Sequence, residues 1–256
     1  LVRKDAADII LRLSKLPVSL TLTTNATRLH DFADVLQEAK VSSLNISLDT
    51  LDPDKFKIIT RRDGFQKVMD NIHLMIQRNL HVKVNVVVMK GINDHEITDF
   101  VAWTKDLPVH VRFIEFMPFE GNRWSSNQVF TMEQMLEVIG RNYTPAPLQN
   151  DFHDTAKKYS IDGHKGTFAI ISTMSSPFCS GCNRMRLTAD GKMKNCLFSQ
   201  KETDLLTALR NGEDILPLIQ ESIASKAKEL GGQFTKDFEN IHTEDLHNRT
   251  MISIGG

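Results

Sequence analysis

Up to Met117, short runs of β-branched and aliphatic residues alternate with longer stretches whose apolar positions recur every three or four residues. A helix is predicted over Asp5–Leu16, then a strand at Val18–Leu22 that runs into Thr23-Thr24-Asn25. A helix over His30–Lys40 leads to the strand Leu44–Asp49, and helices over Asp52–Thr60 and Gly64–Arg78 lead to Val82–Val88. A further helix, His95–Lys105, precedes Val109–Met117. Short strands separated by amphipathic helices imply a parallel sheet built of βαβ units. Doubly wound nucleotide folds place a glycine-rich turn after an early strand, and neither GxGxxG nor GxxxxGK[ST] occurs here. The expected architecture is therefore α/β, an incomplete (βα) parallel barrel, with polar residues ending each strand where such sheets place their chemistry.

Beyond Phe119 the pattern changes. Glu120–Asn127 reads as a loop, Thr131–Gly140 as a helix, and Thr144–Asp151, with Pro145 and Pro147, as a linker. A hairpin is expected over Lys157–Thr173, turning at Asp162-Gly163, then a cysteine-bearing segment and helices from about Glu202 to Leu230. The predicted organisation is a partial barrel over 1–120, a connecting helix and linker over 121–150, and a C-terminal cluster-binding region over 151–256. No fixed-period repeat or low-complexity tract interrupts it.

Composition narrows the function classes. The 256 residues carry 31 Lys plus Arg against 32 Asp plus Glu, which gives no general attraction to nucleic acid or an acidic membrane. No apolar stretch reaches the roughly 20 residues of a spanning helix, and no targeting segment is visible. The only cysteines are Cys179, Cys182 and Cys196, an odd and sparse set that suits a reducing compartment and metal binding better than disulfides.

Cys179 and Cys182 form a C-x2-C pair, with Gly181 easing the turn between them. Cys196 follows a strand (Met185–Ala189), an Asp190-Gly191 turn and a second strand (Lys192–Cys196), so the hairpin carries a third thiolate back beside the first two. On spacing alone a zinc site and an iron–sulfur site are equally supported, with three unrelated buried cysteines as the plainer alternative. Zinc would need a fourth ligand from His153, His164, His242 or His247, none at a zinc-finger spacing. Three thiolates can hold a four-iron cluster with one iron open to a substrate ligand. Arg184 and Arg186, two apart on the predicted strand, leave by one face beside the cysteine turn and favour a site for an anion.

In the barrel, Lys83 and Asn85 share a face of a strand otherwise made of valine. An internal lysine needs a partner: either a structural ion pair with Glu115 or Asp49, or a ligand. Thr23, Thr24, Asn25, Ser47 and Asp49 end strands, where they either cap the next helix or bind a polar ligand. Met117 at the last strand is by default core packing.

Several runs carry a family resemblance. Leu1–Asp5, Leu22–Asn25, Asn45–Asp49, Val82–Asn85, Lys90-Gly91-Ile92-Asn93-Asp94, Arg112–Met117 and Phe178–Lys192 occur in the order and spacing of the radical-SAM GTP 3′,8-cyclases of molybdenum cofactor synthesis, the MoaA family. The resemblance runs the whole chain, to Gly255-Gly256, and its middle segment is closer to animal members. It implies a radical-SAM barrel and the conversion of GTP to (8S)-3′,8-cyclo-7,8-dihydroguanosine 5′-triphosphate. S-adenosylmethionine, reduced at an N-terminal [4Fe-4S] cluster, gives a deoxyadenosyl radical that takes the ribose C3′ hydrogen before C3′ bonds guanine C8. The product then passes to cyclic pyranopterin monophosphate synthase.

By the same resemblance Cys179, Cys182 and Cys196 ligate a second [4Fe-4S] cluster whose open iron receives guanine. Arg184, Met185, Arg186, Thr23 and Lys83 contact GTP, and Ser47 and Met117 line the S-adenosylmethionine pocket. Asn25 and Arg112 join these as ligand-binding candidates, and the Gly255-Gly256 tail enters the active site. The family is often dimeric, so a homodimer is expected, and an animal member belongs in the mitochondrial matrix, others in the cytoplasm. The first-cluster C-x3-C-x2-C motif and a Gly-Gly-Glu-Pro segment are expected before Leu1. The chain as written is expected to be inactive without them. The competing readings are another radical-SAM enzyme with an auxiliary cluster, or a non-catalytic zinc-stabilised module.

Overall fold

A computed structural model describes residues 1–234, 237–241 and 249–253, without the Ile252 side chain. The chain divides into two units that interleave in sequence. The first takes residues 1–114, 133–149 and 156–171; the second takes 115–132, 150–155 and 172–256.

The first unit is organised by a seven-stranded sheet. Its strands are β1 (Thr21–Thr24), β2 (Ser43–Ser47), β3 (Val82–Val88), β4 (His110–Glu115), β5 (Ala146–Pro147), β6 (Lys157–Ser160) and β7 (Thr167–Ile171), in the order β1-β2-β3-β4-β7-β6-β5. β1, β2 and β3 are parallel, as are β4 and β7, while β6 and β5 add antiparallel strands beyond β7. The sheet is mostly parallel, as expected, and among the described residues it stays open, with β1 and β5 at its edges.

Helices α1 (Ala6–Leu13), α2 (Ala33–Glu38), α3 (Pro53–Thr60), α4 (Phe65–Gln77), α5 (Ile97–Trp103) and α6 (Met132–Gly140) supply the rest. α3 starts as its sequence dictates: the Asp52 side chain accepts from the Asp54 and Lys55 N–H groups, and Pro53 occupies the first turn, where its missing N–H costs nothing. α4 buries Val68, Ile72 and Met75 at helical spacing and packs near β3.

Strand alternation separates two faces. Val82, Val84, Val86 and Val88 are buried, as are Val111 and Phe113, and the Phe113 ring meets Phe100 at 6.2 Å and Phe168 at 6.3 Å. The intervening Lys83, Asn85 and Arg112 lie on the other, half-buried face. The Lys90–Asp94 run is a structural clasp: Asn93 accepts from the Met89 N–H and donates to the Asp49 and Val87 carbonyls, while Gly91 takes φ 77°.

Three expectations change. The first strand lies at Thr21–Thr24 rather than Val18–Leu22; Val18 is 61% exposed, and the pairing that decides is Leu22 with Leu44 and Thr24 with Ile46. The expected linker contains β5, where Pro147 is tolerated because an edge strand need not donate on its open side. The hairpin over 157–173 joins the large sheet through β7, whose Thr167 lies opposite His110.

The second unit carries a small antiparallel sheet, β10-β9-β8, made of β8 (Arg186–Leu187), β9 (Lys192–Lys194) and β10 (Thr203–Asp204), with α7 (Leu205–Arg210) and α8 (Leu216–Ala224). Phe198 stacks on Phe119 at 5.7 Å and meets Phe234 edge-on at 5.2 Å. Glu115 is fully buried and accepts from the Met132, Met174 and Ser175 N–H groups and the Ser175 hydroxyl. Such a buried carboxylate organises the loops around it. Among the described residues no helix is long and apolar enough to cross a membrane.

Two outcomes follow from this packing. A Cβ on Gly166 would lie 2.2 Å from the Val109 carbonyl oxygen, so Gly166→Ala is expected to cost about 1–3 kcal/mol in chemical denaturation, as overpacking does. Burial, then the Arg112 and Lys83 charges, push the His110 pKa down to about 3. The unfolded histidine takes up a proton near pH 6.5 while the folded one does not, so stability is whole above that pH and falls as pH drops toward 3. His110→Gln is therefore expected to remove an acid sensitivity of about 1 kcal/mol per pH unit between pH 6 and 4, read from denaturation midpoints.

Candidate functional site

The second unit brings the cysteines together. Phe178 leads into a 3₁₀ turn over Cys179–Gly181, closed by the Cys182 N–H donating to the Cys179 carbonyl at 3.1 Å. Gly181 is needed here for closeness rather than for an unusual φ: a Cβ would lie 2.2 Å from the Phe152 carbonyl oxygen. His153 sits on the same turn, its Nδ1 2.8 Å from the Gly181 carbonyl oxygen. The expected hairpin forms, with Arg186 opposite Lys194 and Leu187 opposite Met193, and returns the chain to Cys196. Gly191 makes its turn at φ 77°.

The three thiols are free, half-buried and within electrostatic range of one another. Burial pushes Cys179 up, as do the Cys196 and Cys182 charges, against the Leu230 N–H that donates to its sulfur at 3.4 Å. Burial acts on Cys182 the same way, but the Arg184 N–H and guanidinium and the Lys226 ammonium outweigh it and bring its thiol below the ordinary value. Among the described residues no three His, Cys, Asp or Glu side chains are grouped to hold a metal ion. The donor chemistry here, three thiols among cations and N–H groups, fits a negatively charged cluster. His242 and His247 lie outside the described residues, as do Gly255 and Gly256.

The arginines flank this neighbourhood differently from expectation. β8 begins only at Arg186, so Arg184 belongs to the preceding loop and its guanidinium lies over the Phe178 ring, 5.0 Å from its centre. Arg186 is half-buried; burial and the nearby Arg184 charge lower its pKa. Met185, between them, is half-buried. Met117, also in this unit, is half-buried, and its carbonyl accepts from Asn122 at 2.8 Å.

In the first unit the candidates form rows across the sheet. Thr23, Asn45 and Lys83 are register partners on β1, β2 and β3, and Ser47 and Asn85 form the next row on the same face. Arg112 spans both rows, donating to Asn85 Oδ1 at 2.8 Å and Asn45 Oδ1 at 2.6 Å. Asn45 in turn approaches the Thr23 hydroxyl at 3.4 Å. Asn25 serves its own turn, accepting from the Thr27 N–H and hydroxyl, next to Ala26 at φ 62°. The residues offered as ion-pair partners for Lys83 have other bonds: Glu115 as above, and Asp49 accepting from the Val87 N–H at 2.8 Å. Burial raises the Asp49 carboxyl to about 6. Burial, and then the Lys83 and Arg112 charges, lower the His81 pKa as well.

Sequence reasoning missed Asn45, Lys226 and the Leu230 N–H. Asn45 had a signal, a polar residue in register with Thr23 and Lys83. Lys226 had none, because 44 residues separate it from the sulfur it meets. Also missed is a charge network in the second unit, where Arg249 pairs with Asp190 at 2.9 Å and Glu202 at 2.5 Å, and Glu202 with the buried Lys194 at 3.5 Å.

Comparison with known proteins identifies the family. Residues 1–104 match the Radical SAM superfamily and residues 109–231 match Molybdenum Cofactor Synthesis C. The chain is 43% identical, over its whole length, to mouse molybdenum cofactor biosynthesis protein 1, of which it spans 40%. It is 42% identical to the mitochondrial GTP 3′,8-cyclase of Arabidopsis thaliana, spanning 65% of that protein. It thus covers about two fifths of the length of its animal relatives. With the GTP 3′,8-cyclase of Syntrophomonas wolfei it shares 39% identity, and there it covers 79% of the relative. Full-length similarity at this level, carried through both halves of the chain and through the cysteine hairpin, makes the chain a member of the GTP 3′,8-cyclase family.

Proposed function

We propose that this chain acts in a GTP 3′,8-cyclase reaction, the radical S-adenosylmethionine-dependent first step of molybdenum cofactor synthesis. The observation that carries the reading is the shared neighbourhood of Cys179, Cys182 and Cys196 with Arg184 and Arg186. S-adenosylmethionine and [4Fe-4S] chemistry are its cofactors, GTP its substrate, and cyclic pyranopterin monophosphate synthase the enzyme that takes its product. A homodimer in the mitochondrial matrix is the assembly and location proposed with it, in line with the mitochondrial name of the Arabidopsis relative.

The residues divide the work by their chemistry. Cys179, Cys182 and Cys196 would hold a [4Fe-4S] cluster, which would supply an iron able to accept a ligand from the guanine. Arg184 and Arg186, planar and permanently charged, orient GTP oxygens, and the Met185 backbone between them adds polar contacts. Lys83, Arg112 and Thr23 suit phosphate oxygens: a point charge and a fork that are half-buried, where weaker screening strengthens each contact, and an exposed hydroxyl beside them. The amide oxygens of Asn45 and Asn85 accept from the Arg112 fork and hold it in place. Ser47, Asn25 and Met117 are assigned to S-adenosylmethionine, with Gly255 and Gly256 as the tail that completes the active site.

Anaerobic reconstitution of the 256-residue chain is expected to give about four irons per chain and an absorption spectrum altered by GTP. Cys196→Ala is expected to lose most of that iron, whereas stoichiometric zinc without iron uptake would refute the cluster. Lys83→Met and Arg112→Gln each remove a charge-assisted contact worth about 1.5–3 kcal/mol. GTP affinity, measured by calorimetry on the reconstituted chain, is therefore expected to fall about tenfold to a hundredfold in each variant. Unchanged affinity in both would place the triphosphate elsewhere.

A further inference from the structure

The segment that follows α8, residues 226–230, reaches both sulfurs of the C-x2-C turn. Lys226 Nζ donates to Cys182 Sγ at 3.6 Å and to the Arg184 carbonyl oxygen at 2.9 Å. Leu230 donates its N–H to Cys179 Sγ at 3.4 Å. One short piece of chain thus supplies a charged donor to one sulfur and a neutral donor to the other.

Its geometry is tightly determined. Leu230 is 2% exposed and takes a left-handed φ of 44°, a conformation a leucine adopts only where its surroundings impose it. Gly231 follows at φ 68°, and a Cβ there would come within 2.5 Å of the Phe198 carbonyl carbon. Phe198 is itself held by its stack on Phe119. The backbone is therefore pressed against the loop that follows Cys196, and this fixes where the Leu230 N–H points. At the other end of the segment, Lys226 is anchored by the Arg184 carbonyl as well as by the sulfur.

Donors to ligating sulfur withdraw negative charge from the metal centre, and a fixed cation stabilises its more negative, reduced state. We infer that Lys226 is a positioning residue that, together with the Leu230 N–H, sets the reduction potential of the cluster on Cys179, Cys182 and Cys196. This rests on the cluster reading above. It is separate from substrate contact: the Lys226 ammonium is directed at a thiol and a backbone carbonyl, and through the latter it also holds the Cys182–Arg184 loop in shape.

The test is an EPR-monitored redox titration of the anaerobically reconstituted 256-residue chain, whose three cysteines confine the signal to one site. Iron per chain and the thermal midpoint are measured alongside. Lys226→Met is expected to keep the iron content of the wild type while its midpoint potential shifts to a more negative value. Lys226→Arg, which keeps the charge, is expected to restore most of the shift, and Lys226→Gln, a donor without charge, to fall between. A merely structural role for Lys226 would alter the thermal midpoint and leave the potential where it was. Equal potentials in the wild type and both neutral variants, with iron retained, overturn the inference alone. A wild-type chain that takes up no iron overturns the cluster reading and this inference with it.

Discussion

Sulfur that is to carry negative charge in a half-buried place needs positive ends of bonds and side chains around it, and the second unit is arranged about that need. Burial alone favours the protonated thiol at Cys179 and at Cys182. Cys179 shows this balance, and Cys182 shows it reversed by Arg184 and Lys226. The local folding serves the same end. A glycine at 181 lets the turn press against Phe152, the Gly191 turn sends Cys196 back, and the strained backbone at Leu230 presents an N–H.

The first unit answers a different constraint with one sheet. Valine and phenylalanine on alternate positions of β3 and β4 bury one face under helices, which leaves the opposite positions available for Lys83, Asn85 and Arg112. Asparagine side chains from two strands accept from the Arg112 guanidinium, so neutral amide oxygens hold the charge in place. Burial of a cation is costly, as the lowered Arg112 pKa records, and the Arg112 and Lys83 charges add to the burial that lowers His110 and His81. Retaining such a cation makes sense where an anionic ligand completes the arrangement.

Much of this was legible in the residues. Strand and helix alternation up to Met117 marked the parallel sheet, and Asp190-Gly191 marked the cysteine hairpin, because both depend on local periodicity and turn chemistry. The anomaly of a lysine among valines pointed to the polar face. What stayed hidden depends on long-range approach. The hairpin at 157–173 looked like part of the C-terminal region, yet its partner strand is β4, a pairing fixed by register with His110 and Thr167. Arg184 and Arg186 looked like strand neighbours, but the strand is too short to include the first, and Phe178 holds it instead. Lys226 and Leu230 carry no local mark at all, since their role exists only once the chain has folded back on the cysteine turn.

The most direct measurement is X-ray diffraction at the iron absorption edge from crystals of the anaerobically reconstituted chain soaked with GTP. The account predicts one compact iron feature bounded by the sulfurs of Cys179, Cys182 and Cys196, with the guanine on the side that no cysteine occupies. An iron feature elsewhere, or a histidine closing the fourth position around a lone zinc, would contradict it.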